Sequence, residues 1–357
     1  MYSNIRQLPL SPLIMERIHL PGRPRCPLQP PFRNGADAGL FSASTIVMTT
    51  LIYTHDACLE HKPGAGHPES PERLKAVLRV LRTPEFDGAE WREAPMGTRE
   101  QVLMIHTEDF VTDVEDASPH RGTMPLDGGD TVMSPGSLEA VMRCVGAACA
   151  GVDAVMDKEA HNVFCATRPC GHHAEPNKAM GFCIYNQAAI AAAYAYDVHK
   201  LERVAVVDFD VHHGNGTQAA FYDRPELFYA SSHQSHFYPG TGSEAETGVS
   251  HNIVNVPLPR GCDSAMFREQ IAAKMLPAIR AFNPELLIIS AGFDAHHLDP
   301  LAGLNLQDDD FDWVTRELIK IADETCEGRV VSILEGGYSL EGLASATAIH
   351  VKALMDH

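Results

Sequence analysis

Apolar residues crowd into short unbroken runs at Val163–Ala166, Val204–Val207, Leu227–Ala230, Leu286–Ile289 and Val330–Leu334, preceded by a strand-like run Thr50-Leu51-Ile52-Tyr53. A run that is apolar at every position fits a strand covered on both faces, as in a parallel sheet. Between the runs the period changes. Leu138, Val141, Val145, Ala148, Val152 and Val155 recur at helical steps behind Ser137, which the spacing makes the helix cap. Asn186–His199, Asp263–Phe282, Asp308–Cys326 and Ser339–Met355 carry the same period. This alternation predicts an α/β fold, with three α/β/α layers around a doubly wound, mainly parallel sheet. No internal repeat or linker interrupts the chain after its first segment, so residues 48–357 read as one domain.

Residues 1–47 follow no such period. They carry Arg6, Arg17, Arg23, Arg25 and Arg33 against only Glu16 and Asp37, with prolines at 21, 24, 27, 30 and 31. The expectation is a disordered or non-native leader. Its basic, acid-poor composition also suits an organelle transit peptide. Met48 as the working start is favoured, because the prolines spoil an amphipathic targeting helix, and the expected location is cytoplasmic.

Charge narrows the partners. Lys and Arg total 28 against 47 Asp and Glu, a formal charge of −19. Such a surface repels nucleic-acid backbones and anionic membranes and favours cationic small molecules or basic peptide segments. Nine cysteines form no C-x-x-C pair, and Cys144, Cys149, Cys165 and Cys183 sit in apolar runs as small hydrophobes. The compartment reads as reducing. No apolar run approaches the roughly 18 residues that a membrane helix needs.

Polar clusters follow the strand-like runs, where open α/β sheets gather their functional groups. Asp208-Phe209-Asp210-Val211-His212-His213-Gly214-Asn215-Gly216 follows Val204–Val207. Alternate residues of an extended chain share a side, so Asp210 and His212 project together, with Asp208 alongside. Asp294 follows Leu286–Ile289. Two carboxylates and one imidazole leave a coordination position for water, the pattern of a catalytic zinc site. The donor set is hard enough for Fe2+ to compete. A lone aspartate after a strand is more often a turn former or cap, and only the joint occurrence favours a metal. Arg168-Pro169-Cys170-Gly171-His172-His173-Ala174 offers paired imidazoles on a glycine-led turn, suited to acid–base work near neutral pH. Glu335-Gly336-Gly337-Tyr338 can present a phenol to a developing oxyanion.

In this order the clusters resemble the histone deacetylase and acetylpolyamine amidohydrolase family, whose fold is arginase-like. The resemblance spans Leu51 to Asp356. Both His67-Pro68-Glu69-Ser70-Pro71-Glu72-Arg73-Leu74 and His212-His213-Gly214-Asn215-Gly216-Thr217-Gln218 look like its class II form. It implies that Asp210, His212 and Asp294 hold zinc, that His173 is the general base, and that His172 is its electrostatic or acid partner. Asp208 would pair with His172 and Asn215 with His173, while Tyr338 supports the oxyanion. Phe182 and Tyr238 would wall a narrow tunnel, with the Gly181 carbonyl open to the substrate amide. A potassium ion beside the zinc would be held by Asp208 and Ser231, with backbone carbonyls of Asp210 and His212.

The implied activity is hydrolysis of an N-acetyl or other acyl amide on a lysine side chain of a peptide or protein, or on a small acylated amine. Cys170 stands where the family usually has a second proline, which leads one to expect a loosened turn or an exposed thiol. Leu301 falls where polyamine-specific relatives place an acid, so acetyl-lysine is expected over acetylpolyamine. The alternatives are an acetylpolyamine amidohydrolase, an arginase-like binuclear hydrolase and a catalytically silent acetyl-lysine-binding module. A homo-oligomer is left open.

Overall fold

The computed structural model describes residues 49–357, so the expectations for the leader and Met48 lie outside the described residues. Ten strands form there in chain order: β1 Thr49–Thr54, β2 Glu90–Glu93, β3 Met124–Pro125, β4 Val132–Met133, β5 Ala160–Cys165, β6 Val204–Asp208, β7 Leu227–Gln234, β8 Ile253–Leu258, β9 Leu286–Ala291 and β10 Val330–Leu334. Eight of them make one sheet in the order β2-β1-β5-β10-β9-β6-β7-β8. Every ladder in that sheet is parallel. The chain winds outward both ways and returns through β9 and β10 to fill the centre. The short strands β3 and β4 pair separately, antiparallel.

Alternation along each strand explains the layers. Val330 and Leu334 of β10 join one core with Ile52, Phe164, Val207 and Ile289. That face is covered by the helices Pro71–Leu81, Asp308–Thr325 and Leu340–Met355, through residues such as Leu74, Phe311 and Leu343. Val331 and Ile333 join the opposite core with Leu51, Val163, Val206 and Ile288. There the helices Ser137–Met156 and Gln187–Asp197 pack through Ala148, Val152, Ala188 and Ala192. The result is a three-layer α/β/α fold around a parallel eight-stranded sheet. The predicted apolar runs fall on its strands, except that Ala166 lies just past the end of β5. Among the described residues, no helix is long and apolar enough to cross a membrane.

Two helix expectations need correction. Gly136 is the cap of the helix Ser137–Met156, and Ser137 is its first residue. The Ser137 hydroxyl serves tertiary structure instead, accepting from the Ser134 N–H at 2.7 Å and meeting His61 Nδ1 at 2.7 Å. Asp263–Phe282 does not run as one α-helix. A π-helical segment, Ile271–Met275, separates Ser264–Gln270 from Leu276–Phe282. Pro277 has no N–H to continue the α ladder, and the widened turn lies just before it.

Two histidines tie layers together from fully buried positions. His350 joins the Thr315 hydroxyl to the Ser332 hydroxyl, both at 2.7 Å. His106 meets the Glu175 carbonyl at 3.1 Å and accepts from the Asn186 N–H at 2.9 Å. Burial holds His350 down to about 3 and His106 down to about 4. An unfolded imidazole binds its proton near pH 6.5. Below that pH the unfolded chain therefore takes up protons that the folded chain refuses, and stability falls with falling pH. The gap in urea midpoint between the unaltered protein and His350→Gln, which isolates this contribution, should be steady above pH 7 and change progressively in the variant's favour from pH 6.5 towards 4.

Candidate active site

Three parallel strands deliver the central side chains. Asp208 ends β6, and the chain then turns so that Asp210 N–H donates to Asp208 Oδ1 at 3.1 Å. Phe209 and Val211 point into the core and leave Asp210 and His212 on the other side, as alternation requires. Asp294 arrives from beyond β9 and accepts from Val211 N–H at 2.8 Å. His212 Nδ1 lies 3.1 Å from Asp210 Oδ1 and 3.1 Å from Asp294 Oδ2. Gly292 and Gly336 have to be glycine, because a Cβ at either would collide with these carboxylates. Gly336 N–H donates to Asp210 Oδ2 at 2.8 Å.

The donor set fits a divalent cation. One ligand atom from each of Asp210, His212 and Asp294 lies within 4.8 Å of the others. Both carboxylates are fully buried, and among the described residues no Lys or Arg pairs with either. Burial and the neighbouring Asp210 charge push the Asp294 carboxyl up to about 7. Burial also opposes a charged His212, yet its contacts with Asp210 and Asp294 lift it to about 10. These are the marks of a place short of positive charge. A second cluster, Cys170, Cys183 and Glu335, has a different composition, and no further His/Asp set adjoins the first among the described residues.

The paired imidazoles are steered apart. His172 Nδ1 lies 3.0 Å from Asp208 Oδ2, which also accepts from the Tyr229 hydroxyl at 2.9 Å. His173 Nδ1 lies 2.9 Å from Asn215 Oδ1. Burial alone would make both reluctant to carry charge. Asp210 and Asp208 outweigh it at His172 and raise its pKa well above the usual value. At His173, burial and the adjoining His172 and His212 act together and hold it well below. Two neighbours of one residue type are thus pushed in opposite directions. Asp208 and Ser231 face each other in the β6–β7 register, and Ser231 Oγ meets His233 Nδ1 at 2.9 Å.

A cavity of about 90 Å3 leads to this floor, lined by Gly181, Phe182, Tyr238, Leu301, His173, His212, Tyr338 and Asp130. Every predicted wall residue is there. Phe182 holds φ = 69°, an unusual conformation for a non-glycine residue, pinned by its N–H to Thr131 Oγ1 at 3.0 Å and by the His67 ring. Leu301, which lines the same cavity, is 39% exposed. Cys170 is not exposed. It is buried against Cys183, with the sulfurs 3.4 Å apart, which overturns the expectation of an accessible thiol.

The residues that sequence reading missed are mostly supports. Glu335 accepts from Gly171 N–H at 2.7 Å and His172 N–H at 3.2 Å, fixing the His-His turn. Burial raises its carboxyl to about 7. Arg73 donates to the Gly337 and Glu335 carbonyls, both at 2.6 Å, and lies 5.0 Å from the Tyr338 ring centroid. Glu69 bridges Arg73 to Arg168, whose Nε is 2.7 Å away. Asp299 accepts from Tyr338 N–H at 2.7 Å and Leu301 N–H at 2.9 Å, linking floor to mouth. Asp130 adds an acid to the lining that the sequence reading did not weigh. Glu69 and Arg73 carried a usable signal, an i, i+4 opposite-charge pair astride the start of a helix.

The family model for the histone deacetylase domain matches residues 67–354. An uncharacterized protein of Synechocystis sp. is 39% identical over 86% of this chain and all of its own length. A histone deacetylase-like amidohydrolase of Pseudomonas aeruginosa is 38% identical over 81% of this chain and 82% of its own. The crystal structure of the HDA15 HD domain superposes with a TM-score of 0.81 at 31% identity, covering 87% of this chain and 90% of that one.

The donor set predicts one divalent ion per chain, read by elemental analysis after dialysis. Asp294→Ala should weaken that binding by at least about tenfold. Two ions per chain would favour a binuclear site.

Proposed function

Because the chain belongs to the histone deacetylase family, we propose that it is a zinc-dependent amidohydrolase that removes acetyl or other acyl groups from lysine side chains or similar primary amines. One observation carries this reading. The Asp210–His212–Asp294 cluster meets, through His212, a cavity that His173 and Tyr338 also line. Asp210, His212 and Asp294 would hold the ion, which when bound acts as a Lewis acid on a carbonyl and makes water a stronger acid. Asp208 and Ser231 would hold potassium beside it.

The side chains divide the proton work. Neutral His173 donates Nδ1–H to Asn215 Oδ1, because the Asn215 amide nitrogen is engaged with Glu175 Oε1 at 2.8 Å. That leaves His173 Nε2 free to accept a proton from the attacking water. Cationic His172, anchored on Asp208, stabilises negative charge at the reacting centre and keeps His173 neutral. The Tyr338 phenol is pushed well above its ordinary pKa by burial and stays protonated. It therefore donates to the oxyanion that develops as the amide carbonyl becomes tetrahedral. Gly181, Phe182 and Tyr238 confine the acyl-bearing chain between them.

A second reading has support at the mouth. Leu301 offers no charge to a polyamine, but Asp130 lines the same cavity and the chain is strongly acidic. Acetyl-lysine remains the preferred substrate. A peptide can use an acid at the rim through its backbone N–H groups, whereas a polyamine needs charge along its length.

Losing one oxyanion donor costs about 2.7–4 kcal/mol of barrier. Tyr338→Phe should therefore lower kcat at least about 100-fold with metal content unchanged, and a near-normal kcat would remove Tyr338 from the mechanism. A fluorogenic acetyl-lysine substrate should be hydrolysed by the zinc-loaded protein and spared after chelation, and reloading with Fe2+ without air compares the two ions. The kcat/KM for an acetyl-lysine peptide should exceed that for acetylspermidine; the reverse order would reassign the substrate to the polyamine class.

A further inference from the structure

Two buried thiols beside this site have no part in the chemistry above. Cys170 lies two residues before His172, and Cys183 directly follows Phe182 of the cavity wall. Their sulfurs are 3.4 Å apart, enclosed with Ala174 and Phe182 in a small cluster of their own. Cys183 Sγ also approaches the Gly181 carbonyl at 3.4 Å. A carboxylate oxygen of Glu335 lies within 4.8 Å of both sulfurs.

We propose that Cys170 and Cys183 form a redox-modification site, which a hydroperoxide oxidises to an intramolecular disulfide that distorts the adjoining His172–His173 turn. Both sulfurs are buried, and Gly181 and Phe182 of the cavity wall directly precede Cys183, so the oxidant enters by a local opening of that wall. Hydrogen peroxide is little larger than water. The Cys170 proton passes to Glu335, and the thiolate sulfur attacks one peroxide oxygen. The O–O bond breaks, the leaving oxygen takes that proton back from Glu335 and departs as alcohol or water, and Cys170 becomes a sulfenic acid. The Cys183 sulfur then attacks the Cys170 sulfur, and the S–O bond breaks. The expelled hydroxide leaves as water with the Cys183 proton. Two thiols are oxidised by two electrons, and one hydroperoxide is reduced to an alcohol and water.

A disulfide needs its sulfurs about 2.05 Å apart, so closure shortens the present gap by about 1.3 Å. One end of that movement reaches His172 through Gly171, and the other reaches the wall through Phe182. A misplacement of about 1 Å at a reacting group can cost about 100-fold in rate. The effect on catalysis rests on the proposed amidohydrolase activity, while the crosslink itself does not.

The test is a hydrogen peroxide titration of the metal-loaded full chain, read by non-reducing peptide mapping and by acetyl-lysine hydrolysis. A Cys170–Cys183 crosslinked peptide should accumulate in step with at least about a tenfold loss of activity. Dithiothreitol should reverse both. Cys170→Ser and Cys170→Pro should keep their activity under the same exposure. Absence of that crosslink, or crosslinking confined to other cysteines, overturns the modification site. Equal inactivation of Cys170→Ser, or a crosslinked chain that retains full activity, overturns its effect on the turn. If the reduced protein hydrolyses no acyl amide, the proposed function fails, and the peptide map still decides the thiol chemistry.

Discussion

Two buried carboxylates held side by side set the terms for everything around them. Asp210 and Asp294 approach within 4.8 Å, and both are fully buried. Two unit charges at that distance repel by about 3–4 kcal/mol at an effective dielectric constant of 20. Among the described residues the protein answers with directed N–H groups and imidazoles rather than with a lysine or arginine. Val211 N–H serves Asp294, while His212 N–H and Gly336 N–H serve Asp210. The remaining deficit is what a divalent ion would fill. Both glycines beside the carboxylates follow from the same crowding, because the backbone donors must approach more closely than a Cβ permits.

The segment from Glu335 to Tyr338 shows how tightly the surrounding groups are coupled. Its first residue clamps the histidine turn, its second donates to Asp210, and its third is gripped by Arg73. Its fourth is the phenol. Arg73 can be buried because Glu69 neutralises it, and Glu69 in turn is shared with Arg168 and His61. At Glu69 burial pushes the carboxyl up, but Arg168 and His61 outweigh it and hold it well below the usual range. Removing one member of such a buried ionic set typically costs about 3–5 kcal/mol, because the partner is left charged and alone. The loops around the site are thereby fastened to one another as well as to the sheet.

Much of this was legible in the linear chain, for a physical reason. Buried parallel strands need apolar side chains at every position, so their ends are visible as the places where polarity returns. Asp208, Asp210, His212, Asp294 and Tyr338 all sit at such places. What stayed hidden was whatever depends on burial of charge or on distant pairing. Arg168 and Glu69 are 99 residues apart in sequence, and nothing in their neighbours announces that both are buried. Strand β2, Glu-Trp-Arg-Glu, has no apolar run, because an edge strand with exposed ends requires none. Strand β8 was hidden by its asparagine and proline. Ser137 looked like a cap because its position was right, but its hydroxyl was more useful elsewhere.

Those two inconspicuous strands close off the sheet. Any outermost strand exposes a row of unsatisfied backbone groups that can template the addition of another chain. Here one margin ends in the charged tetrapeptide Glu90–Glu93, and the other carries Pro257, which has no N–H to offer. An eight-stranded parallel sheet this apolar would otherwise be an aggregation hazard during synthesis and refolding. Its borders are built to refuse further growth.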